Sequence, residues 1–447
     1  MIGKLKFPIF YFWLALMPFL AVSPWQVIFV KPLYFGFFHY GLLMALIIIQ
    51  VYEDIKNKSL SVHPVFGLFG AFVITAGLSL LLNWHSIDGI TLENAIGFKA
   101  PHIYNVFTLI YLIFNILTIW VVSKIISSKE KLNNSIEIIA TSAVAASLCG
   151  IIMLFAVLAG ILPDCILVNA TRLQGTATEP QVFGNFLLLG LPLIIIKFIS
   201  NPTLLNTVFL FIAFLAFIMT FSLGAWIGMF FALVFLSWQI LKNLKLVHFK
   251  NIAGVLIVAA LFLAICKLMN PHYFEELRFK KLYFWQLKED IKYHETTKQY
   301  PRNDDKLERF WLAKTAINQF LYRPLIGVGF GNYGFLYNQF IPKDADTKPY
   351  IAKPHNSYLE VLAETGIVGF ILFISPILII FFNALKATFA IKKNNIINLT
   401  IIGAFIGLAT QGFFFGIFVH NYTWIAIGLL FAIGIYNNNK EKYETKK

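Results

Sequence analysis

Residues suited to proton transfer lie in the segment 354–366. His355 precedes Asn356 there, and two carboxylates, Glu360 and Glu364, follow four residues apart. An imidazole has an ordinary pKa of about 6.5, so His355 can accept a proton from a hydroxyl group near neutral pH. We therefore expect His355 to act as a general base. The plainer alternative is a histidine that only begins a helix.

The two carboxylates of this segment are expected to be structural. Glu360 and Glu364 share one face of a helix because they are four residues apart. At 100° per residue, Glu360 lies about 140° around that helix from His355. Neither carboxylate would then orient the imidazole, unless the helix begins after His355.

Cationic side chains that can bind an anion lie elsewhere in the sequence. Arg172 is the only basic residue of its loop, and Arg309 and Arg323 precede His355. A guanidinium group offers planar, bidentate donors to phosphate oxygens. The alternative for Arg309 and Arg323 is to extend towards lipid headgroups. His420, in the last short loop, either lines a substrate entrance or caps a helix.

No metal or nucleotide site is predicted, and no cofactor is expected. The run Gly327-x-Gly329-x-Gly331 has no strand before it and no βαβ unit around it, so it is not a dinucleotide fingerprint. The intervals between the histidines do not match a metal-ligand pattern. Asp304 and Asp305 lie between Arg302 and Lys306, which favours a solvated turn over a magnesium site.

The composition is that of a membrane protein. Of 447 residues, 58% are hydrophobic and 13% are charged, against about 25% charged in soluble globular proteins. No water-soluble core could hide this much apolar surface, which excludes a soluble enzyme, a disordered chain and a disulfide-stapled secreted domain. The net charge of +14 lies at the ends of apolar runs and in one loop, so no nucleic-acid partner is expected.

Twelve apolar runs predict an all-α polytopic membrane protein with about twelve transmembrane helices. The runs are 7–22, 33–51, 64–82, 103–126, 136–159, 182–199, 203–220, 222–241, 251–269, 365–385, 396–416 and 419–436. With the N-terminus inside, the short inside loops and the termini hold 18 lysines, whereas the short outside loops hold Lys31, Lys99 and Arg172. This bias predicts that both termini are cytoplasmic.

The predicted domains follow from the one long polar segment. They are a bundle of about nine helices at 1–269, an outside loop at 270–356, and C-terminal transmembrane helices with a lysine-rich cytoplasmic tail at 357–447. The junctions at 220–222 and 416–419 are so short that Thr220 to Gly224 could instead be a break within one longer helix.

Two short helices are predicted around the outside loop. Apolar residues at helical spacing from Arg309 to Leu321 predict an amphipathic helix on the membrane surface. Its expected apolar positions are Phe310, Ala313, Ile317, Phe320 and Leu321, with Trp311 at the edge. A second helix is predicted from Ser357 to Thr365, ended by Gly366 before the next span.

Three motifs occur in one order: Pro-Leu-Ile-Gly-Val-Gly at 324–329, His355-Asn356 opening a short helix, and Glu-x-Gly-x-x-Gly at 364–369. In these motifs, its number of spans and its late outside loop, the chain resembles the O-antigen ligase and polymerase family of bacterial envelope glycan transferases. The loop around Arg172 is a further match. The chain departs from the family at Leu223, where an arginine often stands between serine and glycine.

The resemblance implies a GT-C-like fold and a glycan transfer outside the bacterial inner membrane. The donor would be a glycan on undecaprenyl diphosphate, and the acceptor a hydroxyl of lipid A–core, another glycan or a protein. His355 would be catalytic, in a metal-independent displacement that inverts the anomeric configuration. The residues expected to bind substrate are Arg172, Arg309, Asn356, Arg323 and His420.

Ligation to lipid A–core is the leading interpretation, ahead of glycan polymerisation and of protein O-glycosylation of the pilin type. A secondary transporter or lipid flippase is the alternative from another class. Transporters carry ionisable residues at the middle of the membrane and interrupted helices in paired halves. Here the apolar runs hold few charges and the polar residues collect at one face, which favours an interfacial enzyme.

Overall fold

The computed structural model describes residues 2–19, 35–59, 61–90, 101–162, 172–177, 179–242, 305–343, 352–390 and 396–444, together with Ala264, Lys292, Thr296 and Ala345. Over these residues the chain is helical and forms no β-strand, which confirms the all-α prediction. The helices are α1 (Ile2–Ala15), α2 (Phe35–Lys56), α3 (Val65–Leu82), α4 (Pro101–Ile125), α5 (Lys129–Leu158), α6 (Pro180–Ser200), α7 (Leu204–Met219), α8 (Leu223–Lys242), α9 (Asp305–Tyr322), α10 (Ser357–Ala390), α11 (Ile396–Gln411) and α12 (Asn421–Glu444). Single helical turns lie at Met17–Phe19, Trp84–Ile87 and Tyr337–Phe340.

Six of the described helices, α2 to α6 and α10, are long and apolar enough to cross a membrane. Five more apolar helices, α1, α7, α8, α11 and α12, are shorter. A helix satisfies its own backbone hydrogen bonds, which is why apolar runs of this kind take helical form in lipid. The predicted run at 251–269 lies outside the described residues except for Ala264, so the total of twelve spans and the domain division stay predictions.

Helix α6 lies at the centre of the bundle. Every residue from Val182 to Ile194 is buried, and α5, α7, α8 and α11 pack around this helix. Small residues allow the closest approaches, as where Gly228 of α8 meets Gly407 of α11. Van der Waals contact is a main attraction between helices in lipid, and small residues let the backbones come close enough to make it.

The chain reverses direction between α7 and α8. A Cβ placed on Gly184 of α6 would lie 3.2 Å from Cβ of Ala225, and one placed on Gly228 would lie 3.1 Å from Cδ1 of Leu188. These contacts advance in the same sense along α6 and α8, so the two helices are parallel. Helix α7 connects them and therefore runs the other way. The short junction at 220–222 is a turn between two helices and not a break within one.

The two ends of the bundle differ in chemistry. At one end, Lys6 of α1 contacts Glu53 of α2, and Asp54 of α2 pairs with Lys124 of α4 at 2.9 Å. At the other end of α4, Asn105 donates a hydrogen bond to Asn332 at 2.5 Å. Asn332 in turn contacts Val328 of the glycine-rich run 324–331, so the lysine-rich end and the end that meets this run are opposite ends of the bundle.

Helix α9 confirms the helix predicted from Arg309 to Leu321, and it packs a second apolar face on the protein. Leu312 and Ala316 pack in a small cluster with Tyr333 and Ala363, and Trp311 is buried as well. The expected apolar positions Ile317 and Leu321 are 44% and 66% exposed, so the stripe predicted to face the membrane does not pack on the protein. Trp311, expected at the edge of that stripe, lies instead on the buried face. The helix therefore has two apolar faces, one packed on the protein and one exposed, and its place on the membrane surface stays a prediction.

Helix α10 begins at Ser357 and is interrupted at Gly366, where φ is 64° and ψ is −170°. Only glycine adopts this backbone conformation readily, because it has no Cβ. The short helix predicted from Ser357 to Thr365 is confirmed. The remainder of α10 is the membrane-crossing part that follows the break.

Candidate active site

The glycine-rich run 324–331 packs its backbone against the break in α10. The N–H of Val328 donates to the carbonyl of Ala363 at 3.0 Å, and the N–H of Gly329 donates to that of Glu364 at 3.1 Å. A Cβ on Gly327 would collide with the backbone of Glu364. The glycines therefore allow two backbones to meet, which agrees with the sequence-based rejection of a nucleotide site.

Polar side chains of α3 and of the residue that ends it, Asn83, hold this junction from the other side. Ser79 Oγ lies 2.6 Å from the carbonyl oxygen of Ile326 and 2.7 Å from that of Glu364. Arg323, predicted to bind substrate, donates from Nη1 to Oδ1 of Asn83 at 2.6 Å. The structure thus places Arg323 in the support of the glycine-rich run.

Glu364 is part of the same support. Its side chain is 4% exposed, and its Oε1 accepts a hydrogen bond from the N–H of Tyr333 at 3.2 Å. A buried carboxylate that accepts backbone N–H groups organises the chain around it. The position of Glu364 agrees with the structural role expected for it.

His355 has a left-handed backbone conformation, with φ of 48°. This conformation is strained for a residue that carries a side chain, and such strain collects at functional sites. The side chain of Asn356 accepts hydrogen bonds from the N–H groups of Tyr358 and Leu359, each at 3.0 Å. Asn356 therefore caps α10. Because the helix begins after His355, the separation of 140° expected for Glu360 does not apply.

The start of α10 is fixed to the loop between α11 and α12, residues 412–420, which we term the return loop. The N–H of Ser357 donates to the carbonyl of Gly412 at 2.8 Å. The Ser357 hydroxyl donates to the carbonyl of Phe415 at 2.9 Å and accepts from the N–H of Ile417 at 2.8 Å. Three hydrogen bonds at one residue join the helix start and the return loop.

Arg309, His355 and His420 meet at the return loop. Arg309 donates from Nη1 to the carbonyl of Phe414 at 3.2 Å. The rings of His355 and Phe415 have centroids 6.1 Å apart, and the ring of His420 stacks on Phe415 at 5.8 Å. Loss of water around the His420 ring lowers its pKa to about 4, so this histidine is neutral at pH 7.

Arg172 holds the C-terminal end of α7. It donates from Nε to the carbonyl of Thr220 at 3.0 Å and from Nη2 to that of Phe221 at 3.2 Å. Carbonyls at a helix end lack partners within the helix, and a cation there is favourable. A Cβ on Gly224, beyond this turn, would lie 2.8 Å from Cβ of Phe414. The turn held by Arg172 therefore packs against the return loop.

The sequence reasoning missed Lys353. This residue donates from Nζ to Oε1 of Glu360 at 2.8 Å. Burial opposes the charged form of the ammonium, but the carboxylates of Glu360 and Glu364 more than offset it and raise the pKa of Lys353. The closeness of Lys353 to His355 in sequence was a signal that could have indicated it. The position of Phe415 beside His355 had no such signal.

This arrangement provides a proton acceptor, two guanidinium groups and a helix N-terminus around one loop. A helix N-terminus favours negative charge, as do the guanidinium groups. In the described part of the chain, no group of three or more His, Cys, Asp or Glu residues is arranged to hold a metal ion. The chemistry that these side chains support is transfer from an anionic leaving group to a hydroxyl.

Residues 208–374 match the family model described as O-antigen ligase. This segment, which is less than half of the chain, is similar to the O-antigen ligase family. It contains Arg309, Arg323 and His355. Arg172 and His420 lie outside it: Arg172 binds the turn at 220–222, and His420 is part of the return loop. Comparison with curated proteins gives no match. Similarity to the O-antigen ligase family over this segment supports glycan transfer by a multi-pass membrane protein in general.

Proposed function

We propose that this protein is an O-antigen ligase, which transfers a preassembled glycan from undecaprenyl diphosphate to a hydroxyl of lipid A–core. The observation that carries the proposal is the strained turn at His355, which lies within the family-matched segment and contacts the return loop. Arg309 contacts the same loop. The site is therefore an ionisable base beside groups suited to a diphosphate.

In the proposed reaction His355 accepts the proton of the acceptor hydroxyl as the oxygen attacks the anomeric carbon. The bond from that carbon to the diphosphate oxygen breaks, and the charge that develops on the leaving group is balanced by Arg172 and Arg309. A guanidinium has five N–H donors, so a backbone carbonyl and a phosphate can be bound together. One displacement from the opposite side inverts the anomeric carbon, and no divalent metal is required.

The lysine bias supports a periplasmic position for the site. Lys6, Lys124 and the other lysines of the short loops would then face the cytoplasm, in line with the positive-inside rule. The described helices also favour an enzyme over a transporter. The buried carboxylates among them, Asp54 and Glu364, lie near helix ends and not at mid-membrane.

Deletion of the gene, followed by electrophoresis of lipopolysaccharide and pilin, tests the acceptor. We expect the loss of all long glycan from lipid A–core, restored by the wild-type gene and not by His355→Ala. Retention of a single repeat unit would instead indicate a polymerase. A change in pilin mobility with unchanged lipopolysaccharide would indicate a protein transferase, and either result would overturn the ligase assignment.

A further inference from the structure

An ion pair crosses the strained turn at His355. Lys353 lies two residues before the histidine and Glu360 five residues after it, and their side chains are joined at 2.8 Å. The Glu360 side chain is 14% exposed and that of Lys353 is 37% exposed. The pair is therefore partly shielded from solvent, where an ionic hydrogen bond is stronger than on an open surface.

The backbone of His355 must be held on both sides to keep its φ of 48°. The contacts of Asn356 and Ser357 fix the chain after the histidine. On the other side, Ala352 packs in the small cluster with Ala363. Lys353 is nearer to the histidine, and its bond to Glu360 joins the preceding chain directly to the first turns of α10.

The pair also lies at the return loop. Oε2 of Glu360 is 3.8 Å from the position that a Cβ on Gly416 would occupy. Gly416 follows Phe415, whose ring adjoins that of His355. A lone carboxylate here would repel an anionic donor, and the ammonium of Lys353 neutralises it.

We propose that Lys353 and Glu360 are positioning residues, which hold the His355 turn in the conformation required for proton transfer. This inference rests on the proposed function of His355. It assigns the pair a role in the chemical step and none in donor recognition, since the paired charges cancel.

The decisive variant is Lys353→Met combined with Glu360→Gln, which removes the ion pair without changing the net charge. We expect single-turnover glycan transfer to fall about tenfold, with donor affinity within twofold of wild type. The exchanged pair, Lys353→Glu with Glu360→Lys, should recover most of the rate that the neutral pair loses. The conservative variant Lys353→Arg, with Glu360 unchanged, should keep most of the wild-type rate. A role in folding alone would not split rate from affinity in this way.

A matched control is the pair Lys197 and Glu137, which joins α6 to α5 at 2.5 Å, away from the site. Lys197→Met with Glu137→Gln should leave the rate unchanged. Each protein is compared at equal membrane abundance. A normal rate in the neutral pair, or no recovery in the exchanged pair, would overturn the positioning role while His355→Ala stays inactive. A fully active His355→Ala protein would overturn the proposed function itself, so the two failures are distinguishable.

Discussion

Three described residues other than glycine have a positive φ, and two of them, Phe221 and His355, lie at the candidate site. Phe221 belongs to the turn that Arg172 holds, and its carbonyl accepts one of the arginine hydrogen bonds. Strain of this kind persists only where the surrounding structure fixes it. At the scale of single residues, the candidate site therefore contains two constrained turns, one at His355 and one that Arg172 holds.

The histidine and the arginines should divide the reaction between them. His355→Ala should bind the lipid-linked donor normally and lose about 10²–10⁴-fold in single-turnover rate, because a general base acts in the chemical step. Arg172→Ala and Arg309→Ala should weaken both donor binding and turnover, since a diphosphate is charged before and during the reaction. Lysine at either arginine position should restore only part of the lost donor binding and turnover, because an ammonium group lacks the bidentate donors of a guanidinium.

Donor binding and single-turnover rate, measured side by side at equal protein abundance, check this division. Equal losses of binding in all three alanine variants would contradict it. So would a fully active His355→Ala protein, which would leave that residue as the start of a helix.

His420 should make stability depend on pH. Its pKa is about 4 in the folded protein and about 6.5 when unfolded, so the unfolded chain binds the proton more readily between these values. Stability should therefore fall as pH is lowered from about 6.5 towards 4. His420→Phe should flatten this part of the curve, measured as thermal unfolding in detergent.

Val419, the exposed neighbour of His420, provides the control for that measurement. Val419→Leu changes no titratable group and should leave the slope between about pH 4 and 6.5 as it is in the wild type. A slope unchanged in His420→Phe would show that the ring does not titrate in this range.

At the scale of elements, the break in α10 and the glycine-rich run form one joint. The N–H of Ile367 donates to the carbonyl of Pro324 at 2.8 Å, and a Cβ on Gly366 would collide with the backbone of Leu325. This joint connects α9 to α10, and so sets where Arg309 lies relative to His355.

Gly366→Ala should destabilise the protein more than an ordinary helix substitution. The backbone conformation costs about 1–3 kcal/mol for a residue with a Cβ, and the collision adds to it. Gly67→Ala in α3, where no atom lies within 4 Å of the added carbon, is the matched control. Thermal unfolding in detergent should show a lower midpoint for Gly366→Ala and not for Gly67→Ala. Equal midpoints in the two variants would contradict the close packing of the glycine-rich run against the break in α10.

The outer face of α9 should lie in the acyl region of the membrane. Leu321 and Tyr322 of α9 and Leu325, just after this helix, are 66%, 63% and 64% exposed. The N–H of Val368, after the break in α10, donates to the carbonyl of Leu325. The apolar surface of α10 therefore continues onto α9. A fluorophore on Leu321→Cys should be quenched by lipids brominated in their chains.

The exposed turn residue Ser86 offers the comparison site. The same fluorophore on Ser86→Cys should be quenched less. Equal quenching at both sites, or none at Leu321, would show that the exposed face of α9 does not enter the lipid.

At the scale of the whole molecule, the bundle separates a lysine-rich end from the end that carries the site. With native cysteines removed, Lys343→Cys should react with a membrane-impermeant thiol reagent from the periplasm. Lys129→Cys should react only after the inner membrane is opened. The reverse pattern would place the site in the cytoplasm, away from the proposed acceptor.

The sequence by itself determined the helical membrane class, the separate helices at most apolar runs, and the helix that begins after His355-Asn356 and breaks at Gly366. These features depend on residues within one or two turns of each other, through periodicity, capping and glycine conformation. Only the tertiary structure decided that Arg309 and His355 meet the return loop, that Arg172 holds the end of α7, and which face α9 buries. Such contacts join residues far apart in sequence, so packing fixes them and local pattern does not.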